Sequence, residues 1–415
     1  MKILFLSRYI YDESIPEFTV NKTGFGMMVK DIANSVAEEN EVLVLTRVIT
    51  TGKLIGNNYI LSHRWSDILK CFSVKLFLKG IIKAFGSRKS LKNKFKVIYF
   101  YLDSGYTKKI IKEFKPDIVH IHGIDESSKL YIDVCDELNI SYIVTLHGLI
   151  GLNESVTASD YNKLLEKSFL QESERRNTPI TVISTGIKKR IVKYYGLKHG
   201  DNICIIENGT KISYEPACNL NIREKYNISQ ERKIIICIGN ISERKNQAQI
   251  VEAYNKANES FKNKTALLFL GNDRLNGRLQ KRVKELSLDN NIVFCGFIDK
   301  ENIPSYINQS DINVVASLDE GFGLSMIECF VHGVPTVTFS DLDAIEDIYN
   351  ENAMILVEER ETQALTNSIE EAMNKDWDRE WIKDYSKQFS LNSMAKKYEK
   401  LYYSVLESRN NIEKN

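Results

Sequence analysis

Short apolar runs alternate along the chain with stretches whose apolar residues recur every three or four positions, the signature of strands interleaved with amphipathic helices. In the first half the runs are KILFLS (2–7), EVLVLT (41–46), DIVHIHG (117–123), YIVTLHG (142–148) and ITVIS (180–184). In the second they are NICIIENG (202–209), KIIICIG (233–239), ALLFLGN (266–272), NIVFCGF (291–297), INVVAS (312–317) and VPTVTFS (334–340). Runs this apolar read as strands buried on both faces, hence parallel sheets covered by helices. Two such sets, each about 180 to 200 residues long, predict two Rossmann-like domains in tandem. The pattern breaks near 196–232, in GLKHGD and EPACNLNIREKYNISQE, so the domains are expected at 1–195 and 196–388. Ligands of such sheets lie beyond the carboxyl ends of the strands, and residues just after strands therefore carry the chemistry.

Composition narrows the partners. With 415 residues, 43% hydrophobic and 27% charged, the chain is long enough for two cores, and its formal net charge of +1 provides no global field for a nucleic acid. The seven cysteines (71, 135, 204, 218, 237, 295 and 329) form no C-x-x-C pair and read as reduced, buried thiols of a cytoplasmic protein. MKILFLSRYI is expected to be a first strand rather than a signal peptide. No run approaches the roughly 18 apolar residues of a membrane span.

EGFGLSMIE (320–328) holds two glutamates across a glycine-rich turn that follows the strand ending at Ser317. LSMIECFVH reads as the helix after it, with Gly333 beyond its C-terminus and Pro335 next. The helix start offers free N–H groups to an anion such as a diphosphate. Glu320, before the turn, and Glu328, one turn into the helix, would accept hydrogen bonds from hydroxyls at either end of it. A ligand of hydroxyls, diphosphate and more hydroxyls is a nucleotide-sugar.

The stretch resembles the E-x7-E signature of the retaining glycosyltransferases of family 4. The resemblance implies the GT-B fold, α/β with two Rossmann-like domains whose parallel sheets face each other across a cleft. By position it implies that Glu320 holds donor-sugar hydroxyls, that Glu328 holds the ribose, and that the backbone at Phe322, Gly323 and Leu324 faces sugar and diphosphate. IGNISERKNQAQIVEAY (238–254) resembles the family's G-R-L-x-x-x-K block, which clamps the diphosphate. Lys245 falls on the family lysine; Asn240 stands where the arginine would, so Arg244 must replace it or leave the clamp weaker. His147 in TLHGL matches the histidine beside the donor sugar, and Gly24 and Gly26 in NKTGFGMM match the first glycine-rich loop. Asn208 and Gly209 mark the family's N-G turn. Two departures, LDAIE (342–346) for G-G-x-x-E and Ala353 for a glycine, leave base and sugar unassigned. The closing segment 389–415 resembles the helix that returns to the N-terminal, acceptor-binding domain.

The implied chemistry is front-face transfer with retention, driven by Lys245, Arg244 and the helix start, with no metal or other cofactor expected. The acids of DLD (341–343) are not expected to bind metal, and His120 and His122, sharing a strand face, lack partners for a metal site. Between Lys70 and Lys96 lie nine basic residues and no acid, interleaved with Phe72, Leu76, Phe77, Ile81, Ile82 and Phe85. The segment reads either as a solvated helical face or as an interfacial helix on anionic lipid. The second reading puts the protein at the inner face of the cytoplasmic membrane beside a glycan or lipid-linked acceptor. Two functions stay open: a glycosyltransferase of envelope polysaccharide or glycolipid synthesis, using a UDP-, GDP- or ADP-sugar, and a non-catalytic sugar-binding partner of one.

Overall fold

Each of the eleven apolar runs contains a strand, and three further strands complete two sheets. The computed structural model describes residues 1–19, 24–47, 53–55, 58–62, 65–86, 91–149, 151, 160–212 and 220–414. Cys218, the three residues before Gly24, and 87–90 of the basic segment lie outside them. The chain divides into two compact units. The first comprises Met1–Ile183, Ile187–Glu207 and Leu391–Asn415, and the second Ser184–Gly186 with Asn208–Ser390.

The first unit contains β1 (Lys2–Ser7), β2 (Glu41–Thr46), β3 (Lys53–Ile55), β4 (Asn58–Ser62), β5 (Ile118–His122), β6 (Ser141–Leu146), β7 (Ile180–Val182) and β8 (Ile203–Ile205). Their order is β3-β4-β2-β1-β5-β6-β7-β8. Pairing is parallel except between β3 and β4, two strands at one end of the sheet that the apolar runs did not include. The run at 202–209 needs correcting, because β8 pairs with β7 and so extends the first sheet rather than opening the second. The order reverses between β1 and β5, whose pairing runs from Ile3 opposite Ile118 to Ser7 opposite His122. The final helix, Leu391–Lys414, packs on this unit, against the Gly24–Val36 helix and β6.

The second unit contains β9 (Lys233–Ile238), β10 (Thr265–Leu270), β11 (Ile292–Gly296), β12 (Ile312–Val315), β13 (Thr336–Phe339) and β14 (Met354–Val357), in the order β11-β10-β9-β12-β13-β14, all parallel. Both faces are buried, as the apolar runs require. Along β9, Ile235 and Cys237 join one core with Tyr254, Phe269 and Leu365, while Ile234, Ile236 and Ile238 join another with Leu268, Tyr306 and Val334. That is the two-residue alternation of a pleated strand covered on both sides. This sheet reverses between β9 and β12, and a reversal opens a crevice at the carboxyl ends of those two strands.

Candidate active site

Lys245 follows β9 and Glu320 follows β12, so the two flank the reversal of the second sheet. Their side chains meet there, Lys245 Nζ donating to Glu320 Oε2 at 2.5 Å, both largely buried. Arg244 Nη1 lies 3.7 Å from the same oxygen and donates to the Asp319 carbonyl at 2.7 Å. Ser317 Oγ donates to Glu320 Oε2 at 3.3 Å. Burial pushes the Glu320 carboxyl up, but the charge and hydrogen bond of Lys245, then Arg244 and Ser317, outweigh it and hold the group below the usual carboxylate range.

The local sequence explains why the cations stand where they do. After β9 the chain turns through ISERKN before its helix starts at Gln247, with Asn246 at the N-cap position in the left-handed region and making no side-chain cap. The Gln247 side chain accepts from Ser242 N–H at 3.2 Å and donates to the Asn240 carbonyl at 3.1 Å, closing the turn on itself. Leu318 N–H donates to the Arg244 carbonyl at 2.8 Å and ties this turn to the one after β12. Asn240 is committed elsewhere, its Oδ1 accepting from Asn272 N–H at 3.1 Å.

Gly323 sits at the N-cap of the Leu324–Val331 helix with φ 75°, and a Cβ there would lie 2.1 Å from Met326 Cε. Only glycine takes that conformation without strain, and it offers no capping side chain. Met326 N–H and Ile327 N–H are the amides that reach back to Gly323 O, at 2.8 and 3.4 Å, so those of Leu324 and Ser325 precede the helical ladder. Phe322 is buried, its ring edge-on to Phe389 at 6.1 Å. Glu328 stands half-buried one turn into the helix. Arg360 was not visible as a site residue in the sequence. It donates to the Ser317 carbonyl at 2.9 Å, pairs with Asp341 through two 2.7 Å hydrogen bonds and covers the Phe339 ring at 4.5 Å. Asp341, in the DLD segment, thus has a guanidinium partner.

In the first unit, Gly24 opens its helix, and Gly26 is buried so closely that a Cβ would lie 2.9 Å from Tyr11 N. His147 follows β6, with Phe25 edge-on to its ring at 5.0 Å. Its Nε2 meets His122 Nδ1 at 3.0 Å, a contact the sequence reading had not foreseen. His120 is saturated by Tyr402 OH at 2.8 Å and Thr145 Oγ1 at 2.6 Å. Burial holds all three imidazoles low, His147 down to about 4 and the others well below their ordinary value. Among the described residues no three His, Cys, Asp or Glu side chains are grouped for a metal ion.

A family model described as glycosyl transferases group 1 matches residues 219–389, and one described as Glycosyltransferase Family 4 matches 82–214. An uncharacterized glycosyltransferase of Methanocaldococcus jannaschii is 26% identical over 55% of this chain and 57% of its own length. The alpha-monoglucosyldiacylglycerol synthase of Acholeplasma laidlawii is 24% identical over 61% of this chain and 65% of its own length. The chain thus spans about three fifths of the length of these relatives. A crystal structure of an Anabaena protein in complex with UDP and glucose superimposes with a TM-score of 0.67 at 16% identity, over 97% of this chain and 100% of that one.

Proposed function

The chain belongs to glycosyltransferase family 4 and has the GT-B fold, and from that premise we propose that it moves a hexose from a nucleotide-sugar to a lipid-linked or glycan acceptor with retention at the anomeric carbon. The observation that carries the proposal is the Lys245–Glu320 pair at the sheet reversal, beside a helix start without a side-chain cap. Glu320 accepts hydrogen bonds from donor-sugar hydroxyls and Glu328 from the ribose. The amides at Gly323 and Leu324, with Lys245 and Arg244, receive the diphosphate. Arg244 takes the role left open by Asn240, since it already lies within ionic reach of Glu320.

As the bond from the anomeric carbon to the diphosphate lengthens, negative charge grows on the leaving oxygen and the fixed cations stabilise it. The departing diphosphate takes the acceptor's proton, and the acceptor oxygen bonds to the face the diphosphate leaves. The cationic pair supplies the charge that a divalent metal would otherwise supply. The Anabaena structure holds UDP and glucose, and the Acholeplasma relative is named for a glucosylated diacylglycerol, which favours a UDP-linked hexose and a lipid acceptor. The test is a thermal-shift and turnover screen against UDP-, GDP- and ADP-sugars, since a ligand bound only by the native state raises apparent stability. One donor is expected to stabilise the wild type and be consumed to a product with its anomeric configuration kept. Stabilisation without turnover on any acceptor would favour the non-catalytic partner instead.

A further inference from the structure

Eight of the fifteen exposed large apolar side chains among the described residues fall between Leu69 and Phe95. They are ordered. Val74, Leu78, Ile82 and Phe85 are 64, 51, 73 and 62% exposed and follow the spacing of one face of the Val74–Phe85 helix. Leu91 and Phe95, 69 and 71% exposed and four residues apart, share a face of the Leu91–Phe114 helix. The opposite side of the first helix is occupied. Gly80 and Ala84 are buried, and a Cβ on Gly80 would lie 3.1 Å from Ile98 Cα and 3.2 Å from Tyr101 Cβ, so the second helix crosses there backbone to backbone. The apolar face is thus held outward by its packing. Lys75, Lys79 and Lys83, all exposed, follow one position behind Val74, Leu78 and Ile82 and form a flanking row; Lys94 Nζ lies 4.8 Å from the Phe85 ring centroid.

We propose that this pair of helices inserts its apolar ridge into the outer few ångströms of an anionic bilayer leaflet, with the lysine row at the lipid phosphates. The partner deepens the lipid-linked acceptor reading but does not depend on transfer occurring. Charge selects the occupant. A symmetric contact with a second copy would set the same patch against itself and bring the lysine rows together, whereas an anionic headgroup layer complements them. No described helix is long and apolar enough to cross a membrane, so the mode is interfacial. Apolar burial also separates this proposal from simple charge attraction, because insertion survives salt and attraction does not.

The full chain would be sedimented with vesicles of phosphatidylcholine containing phosphatidylglycerol and with phosphatidylcholine alone. Wild type is expected to bind the anionic vesicles and to remain largely bound at about 1 M salt, where attraction is screened beyond about 3 Å. Leu78→Ser with Ile82→Ser is expected to weaken binding about tenfold or more, given the loss of several buried methylenes. Lys75→Gln, Lys79→Gln and Lys83→Gln together should remove the preference for phosphatidylglycerol but leave salt-resistant binding. All these side chains are exposed, so circular dichroism should be unchanged. Three results would overturn the proposal: equal binding of wild type and the Leu78/Ile82 variant, complete release by salt, or a concentration-dependent dimer that the apolar variant abolishes while vesicles capture neither protein. A failure here leaves turnover of a soluble acceptor untouched, so it is distinguishable from failure of the transferase reading.

Discussion

In the second unit a carboxylate and an ammonium, Glu320 and Lys245, are buried together at 2.5 Å, while in the first unit His120, His122 and His147 are buried as a row of neutral rings. Both lie at or just beyond the carboxyl ends of strands next to a sheet reversal. In the charged pair the Lys245 side chain keeps the buried Glu320 carboxyl ionised. The histidines hold polar nitrogens in place without any charge. Only the first arrangement can stabilise charge that develops during a reaction.

The largest expected break falls on activity. Glu320→Ala and Lys245→Ala should each lower transfer by about 10²–10³-fold, the range for removing one preorganised electrostatic partner, with the circular dichroism spectrum unchanged. Near-normal turnover in either variant would remove both residues from the site. Next is stability: Glu320→Ala leaves the Lys245 ammonium buried without its carboxylate and should cost about 3 kcal/mol, Lys245→Ala should cost less because Arg244 and Ser317 still hold Glu320, and the double variant should recover much of the first loss. A double-mutant cycle by urea unfolding measures the coupling, and strict additivity would show the pair to be incidental.

Acid should separate the two units. The imidazoles are held below their ordinary value of 6.5, His147 at about 4, so the unfolded chain takes up protons first as pH falls through that interval. Stability is present above 6.5 and drains away toward 4. The Glu320 carboxyl is held below its ordinary 4.5, so its contribution is present above that value and is lost only at lower pH. Hydrogen exchange read peptide by peptide should therefore show β5 and β6 losing protection near pH 5 while β9 and β12 keep theirs. Simultaneous loss would contradict the contrast. The smallest expected effect is none: chelation should leave transfer largely unchanged, and a sharp loss restored by magnesium or manganese would count against the cationic clamp.

The strands of both cores were legible because each is a run of apolar residues with its own length and bounds, as in KIIICIG and ALLFLGN. β3 and β4 were not, because strands as short as KLI and NYILS at one end of the sheet have weak patterns and gain their order from a neighbour. β14, in AMILV, was read only as a site of glycine loss. β8 was assigned to the wrong sheet because a strand does not encode its partner. At the site, the order of strand, turn and helix placed Lys245 and Glu320 at strand ends, but not their contact, which spans 75 residues. Arg360 acts through the Ser317 carbonyl, and backbone contacts carry no residue signature. The His122–His147 contact needs the register of β5 against β6, which pairs His122 with Thr145.

The last helix has a consequence for how the molecule is made. Tyr402 and Tyr398, which close the hydroxyl network around His120 and Thr145, and Glu399, which accepts from Asn40 at 2.8 Å, all follow the entire second unit in the chain. During synthesis the first unit's strands leave the ribosome early yet lack this covering helix until the whole second unit has been made. The second unit has every one of its strands in hand sooner. The N-terminal sheet must therefore wait with its His120 face uncovered, so the half of the protein that is made first is the half that finishes folding last.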